Sequence, residues 1–64
     1  MEALREFMTE RGLTQADLAK MFKVSQATVS DYLAGRITPR KKRLLMISEK
    51  TGLSVDTLLK GPAH

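Results

Sequence analysis

An all-α domain of five short helices is the fold class this sequence predicts, and three observations point to it. Gly12, Gly35, Gly52 and Gly61 each follow a stretch with helical apolar spacing, where a left-handed residue ends a helix. Thr14, Ser25 and Ser54 stand just ahead of apolar-periodic runs, the place of an N-cap hydroxyl. No segment alternates with period two, so strands are not expected. At 64 residues the chain has room for one small domain, spanning 1–64.

Helix 1 is expected over about 2–11, with Leu4, Phe7 and Met8 on one face at i, i+3, i+4. Thr14 opens helix 2 over 15–22, Asp17 serving as a shortened capping-box acid, with Leu18, Ala19 and Phe22 inward. Ser25 opens helix 3 over 26–34, with Val29, Tyr32 and Leu33 inward. Thr38-Pro39 reads as an N-cap followed by proline at N1, which starts helix 4 over 39–50 with Leu44, Ile47, Ser48 and Thr51 on one stripe. Ser54 caps helix 5 over 55–60, which carries Val55, Leu58 and Leu59 and stops at Gly61-Pro62. Gly12-Leu13-Thr14 and Gly52-Leu53-Ser54 are one capping device used twice, not a structural repeat.

Composition excludes several functions. The chain has no cysteine and one histidine, His64, so disulfides, a metal centre and a histidine-based dyad are not expected. No Walker-type or dinucleotide glycine loop is present, and Glu6, Glu10 and Asp31 have no partners for acid–base work. The reading is therefore no enzyme, no cofactor and no small-molecule substrate. No apolar run approaches the roughly 18 residues of a membrane span. The expected location is the cytoplasm.

The formal net charge of +4 is unevenly placed. Residues 1–35 hold four cations against five carboxylates; residues 36–64 hold seven against two. Five of the eight positions from Arg36 to Arg43 are basic, which suits a polyanionic partner, although a solvated helix end has the same composition.

Only Lys23 and Val24 separate Phe22 from the cap of helix 3. So short a link forces a sharp corner. Ala19 lets helix 3 cross closely, while Val24, Val29 and Tyr32 plug the angle. This is the arrangement of a helix-turn-helix, whose second helix is presented to a DNA major groove.

The ordered set Leu13-Thr14-Gln15-Ala16-Asp17-Leu18-Ala19, Val24-Ser25-Gln26-Ala27-Thr28-Val29-Ser30 and Gly35 resembles the lambda-repressor-like (Cro/repressor, XRE-type) helix-turn-helix family. The run Leu44-Leu45-Met46-Ile47, then Gly52-Leu53-Ser54-Val55-Asp56 and Leu58-Leu59, fits the same pattern, so the resemblance covers roughly residues 4–60. It implies the compact five-helix fold, a double-stranded DNA operator as partner, a homodimer and transcriptional control, such as a phage or prophage Cro-type repressor. An antitoxin that represses its own operon fits the same resemblance. A protein–protein module on this fold is the alternative from another class. Three positions depart from the family pattern: Lys23 where a turn glycine is usual, Thr51 where leucine is usual and Lys41 where an apolar residue is usual. The expected consequences are either strain at a left-handed Lys23 or a turn of another shape, and a less firmly anchored helix 4.

With Val29, Tyr32 and Leu33 inward, helix 3 turns Gln26, Ala27, Ser30 and Asp31 outward as candidate base readers, with Thr28 at the margin. The Gln26 amide matches the N6 and N7 of adenine, and Ala27 suits a thymine methyl group. Asp31 is awkward near phosphates unless it accepts from cytosine N4 or pairs with a neighbouring cation. By resemblance, Gln15 contacts a phosphate and orients Gln26. Helix 3 carries no cation, so the phosphate-facing set is Gln15, Lys23, Thr28, Arg36, Arg40, Lys41 and Arg43. Leu45, Met46 and Leu59 together exceed what so small a core needs, and Leu45, Leu58 and Leu59 are the expected dimer contact, the alternative being an ordinary core with one exposed leucine.

Overall fold

The computed structural model describes residues 1–60 and contains five α-helices there. They are α1 (Glu2–Arg11), α2 (Gln15–Phe22), α3 (Gln26–Ala34), α4 (Lys41–Thr51) and α5 (Val55–Lys60). Among the described residues no strand occurs, and no helix is long and apolar enough to cross a membrane. The expected Gly61-Pro62 stop and His64 lie outside the described residues. Leu4, Phe7, Leu18, Ala19, Phe22, Val29, Tyr32, Leu33, Leu44, Ile47 and Leu58 form one core to which every helix contributes.

Helices this short are marginal alone, and their ends are fixed by local devices. Thr14 and Asp17 form a complete capping box: the Asp17 N–H donates to Thr14 Oγ1 at 3.2 Å, and the Thr14 N–H donates to Asp17 Oδ2 at 2.9 Å. Ser25 Oγ accepts from the Thr28 N–H at 3.1 Å, and Ser54 Oγ accepts from the Thr57 N–H at 3.1 Å.

Helix α4 starts two residues later than expected. Arg40, not Thr38, is the N-cap, with extended φ −69° and ψ 162°, and its side chain makes no cap hydrogen bond. Pro39 is buried rather than placed in the first turn. It occupies the N′ position and buried Leu44 the N4 position, the two sites of a hydrophobic staple. Burial of the proline ring thus outweighs the local preference for proline at N1.

Thr51 is better accommodated than its polarity suggests. Its buried hydroxyl donates to the Ile47 carbonyl at 2.8 Å and accepts from the Leu53 N–H at 3.2 Å. It ties the end of α4 to the next loop, in place of the expected loose anchor.

Lys23 terminates α2 at φ 57°, ψ 45°, a left-handed conformation that costs a side-chain-bearing residue about 1 kcal/mol. The strain expected at this turn is present. Lys23→Gly should therefore stabilise the fold by up to about 1 kcal/mol, read as a rise of several degrees in Tm without a change in helical circular dichroism. The Thr14 backbone N–H, then its hydroxyl, and more weakly Lys20 hold the Asp17 carboxyl below its ordinary value of 3.8, against a small opposing desolvation. A carboxyl depressed in the folded state stabilises the fold above its unfolded value and loses that contribution as pH falls through the folded one. The stability gap between the unsubstituted chain and Asp17→Asn should accordingly be full near neutral pH and close below 3.8. Matched acid melts would check this.

Candidate nucleic-acid interface

The corner between α2 and α3 sets which face of α3 is free. The Val24 N–H donates back to the Ala19 carbonyl at 3.0 Å, so the chain turns within two residues and α3 begins at once. Val29, Tyr32 and Leu33 are buried beneath it. On the opposite side Gln26 and Ala27 are exposed, while Thr28, Ser30 and Asp31 are half-buried. Gln26 sits in the first turn of α3, and exposed Gln15 begins α2. Among the described residues neither amide has a hydrogen-bond partner, so the Gln15–Gln26 contact implied by resemblance is not preformed. The Thr28 hydroxyl lies 2.9 Å from Ser25 Oγ and belongs to the cap of α3.

The C-terminal end of α3 is held from a distance. The Met1 ammonium donates to the Tyr32 carbonyl at 2.8 Å and to the Leu33 carbonyl at 3.3 Å. The Arg5 guanidinium donates to the Leu33 carbonyl at 3.2 Å. Two cations thus converge on the Leu33 carbonyl, which the last turn leaves open, and one of them adds a second donor to the Tyr32 carbonyl, which already accepts from the Gly35 N–H at 3.2 Å, at the negative end of the helix dipole. The sequence carried no local sign of these contacts, because the partners lie 28 to 32 residues apart.

Gly35 closes α3 at φ 76°, and the Arg36 N–H donates to the Asp31 carbonyl at 2.9 Å. The Arg36 side chain also turns back, placing Nη1 3.2 Å from Asp31 Oδ1. Asp31 is therefore paired with a cation of the following loop, one of the two conditions under which a carboxylate is tolerable on this face.

Arg40, Lys41 and Lys42 are exposed at the start of α4, and Arg43 is half-buried. No acidic residue occupies that first turn, and the cap position supplies no side-chain acceptor. Its free N–H groups and cations form an anion-accepting surface. Arg40, Lys42 and Arg43 also border a groove of about 890 Å³ between α3, the connecting loop and α4, floored by Tyr32, Ile37, Pro39 and Met46. Lys23 is exposed at the α2–α3 corner.

Leu58 does not belong to a dimer contact. It is 1% exposed and packs in the core, whereas Leu59 is 55% and Leu45 51% exposed. Ile37, at 45%, is a further exposed apolar side chain, and it lines a second groove with Leu59. Adjacent leucines in a six-residue helix give too little periodicity to tell which one turns inward.

A helix-turn-helix family model matches residues 4–58. The chain belongs to that family. Over 60 residues this helix-turn-helix domain is 37% identical to the HTH-type transcriptional regulator DdrOP3 of Deinococcus deserti. That match covers 94% of the chain and 46% of the relative, so the chain spans about half the length of the curated protein it matches. No solved structure matches it.

Proposed function

We propose that this helix-turn-helix domain is the sequence-reading part of a DNA-binding transcriptional regulator. The observation that carries this reading is the exposed face of α3, whose Gln26 amide stands free at the first turn while both helix ends are tied down. Membership of the family and the regulator named among its relatives support it. Gln26, Ala27 and Ser30 meet base edges, with Asp31 beside them. Gln15, Lys23, Thr28, Arg40, Lys41 and Arg43 supply phosphate contacts that position the helix without reading sequence. The finer assignment is a repressor of the Cro type, as in phages and prophages, acting as a homodimer on a pseudo-palindromic operator with half-sites one helical turn, ~34 Å, apart. Leu45, Leu59 and Ile37 are the apolar side chains available to a second copy, and Leu58 is withdrawn from that contact.

Gln26→Ala should lose discrimination at one base pair, roughly 5- to 100-fold, and leave binding to random duplex unchanged. Arg40→Ala should weaken binding to every sequence and reduce the log–log salt slope by about one. Fluorescence-anisotropy titrations across ionic strength separate the two effects, and a flat salt response would point to a polypeptide partner instead. Leu59→Asp should abolish association on a two-half-site duplex in sedimentation velocity while leaving the thermal melt unchanged. A chain that is already monomeric both free and on that duplex would remove the dimer.

A further inference from the structure

We propose that Arg36 and Asp31 act as one unit, in which Asp31 aims the Arg36 guanidinium at a guanine edge in the major groove. This rests on the DNA-reading function proposed above and revises the place of Arg36, which charge alone puts among the phosphate contacts. Among the described residues the Asp31–Arg36 contact is the one ion pair, and it is made on the outward side of the recognition helix. Two links fix it. The Arg36 N–H is bound to the Asp31 carbonyl at 2.9 Å, and Arg36 Nη1 is bound to Asp31 Oδ1 at 3.2 Å. The guanidinium therefore has both its root and its tip referred to the same residue of α3.

Charge decides what such a group is suited to contact. Attraction to phosphate depends on net positive charge, and the carboxylate cancels most of it. Arg40, Lys41 and Lys42 are exposed, and among the described residues no carboxylate pairs with them, so phosphate neutralisation does not require Arg36. What the pairing leaves intact is a flat fork of donors: a guanidinium carries five N–H groups, and one is engaged by Asp31. A pre-aimed fork matches the O6 and N7 acceptors of guanine, a neutral edge read by geometry rather than by charge. The side chain is 66% exposed, so the remaining donors are open to the groove. Asp31 is a positioning residue in this arrangement and does not itself read a base.

The test takes duplexes enriched from a random pool by the unsubstituted chain and measures affinity for every single-base variant at fixed salt. Arg36→Ala should erase discrimination at one G·C pair, by roughly 5- to 100-fold, with the salt slope on random duplex nearly unchanged. Arg36→Lys keeps the charge but not the fork, so it should fail at the same base pair. Asp31→Ala should lose discrimination at that pair too, and have no further effect on discrimination when Arg36 is already alanine. A uniform loss with a lower salt slope for Arg36→Ala, rescued by lysine, would make Arg36 a phosphate contact and overturn the inference. So would an Asp31→Ala variant that keeps full discrimination at that pair, or an Asp31 effect on discrimination that persists without Arg36. Circular dichroism melts of each variant exclude unfolding as the cause. If the unsubstituted chain enriches no sequence, the DNA-reading proposal falls and takes this one with it. If it enriches a site whose discrimination is indifferent to Arg36, this inference alone falls.

Discussion

The structure depends on one corner. Two residues, Lys23 and Val24, carry the chain from the end of α2 to the cap of α3, and Lys23 must adopt a left-handed conformation to do it. A longer link would let α3 roll about its own axis. This one fixes its phase, because Val29, Tyr32 and Leu33 must seat against the core while Ser25 caps the first turn. Once that phase is set, the outward residues follow from the 3.6-residue period: Gln26 and Ala27 cannot be buried without exposing Val29 and Tyr32. The strain at Lys23 is tolerable because core burial on both sides of the turn far exceeds it.

A nine-residue helix presented on a surface is still a poor probe if its ends fray. Here the N-terminal end is closed by Ser25 and Thr28, and the C-terminal end by three separate devices: the Gly35 turn, the Met1 ammonium and the Arg5 guanidinium. Each orders α3 before any partner arrives, so less freedom is lost when its side chains pair with another surface. The link from α1 also explains why Met1 and Arg5 matter to a surface they do not join. They act on α3 through its carbonyls.

What could be read from the sequence follows the reach of each interaction. The bounds of α1, α2 and α3 and the start of α5 were legible because glycine and hydroxyl caps act within four residues. The outward face of α3 was legible because apolar periodicity is local too. The start of α4 was not: Thr38-Pro39 is a sound local signal, and it lost to burial of the proline ring against a core assembled from distant segments. Leu58 was misplaced for a related reason, since a six-residue helix leaves the choice between it and Leu59 to tertiary packing. The tie between Asp31 and Arg36 spans a glycine whose conformation decides whether the two side chains meet. A carboxylate that looked misplaced in the sequence has its reason in that turn.

The uncapped start of α4 completes the logic. Cations in a first turn oppose the helix dipole, and a missing cap leaves backbone N–H groups without side-chain partners. The Pro39 and Leu44 positions resolve the conflict, because burying both fixes where α4 begins without using a polar cap. The first turn is thereby held in place with its donors and charges directed at solvent, a surface that an arriving anion stabilises rather than disrupts. Placing charge there, and keeping α3 free of cations, divides the labour between two elements. In the proposed reading, phosphate attraction from α4 is indifferent to sequence, and an unpaired cation on α3 would add to that attraction and dilute the contrast proposed for Gln26 and its neighbours. The pairing of Arg36 with Asp31 fits the same proposal, since it brings a guanidinium beside the outward face of α3 with a carboxylate set against its charge.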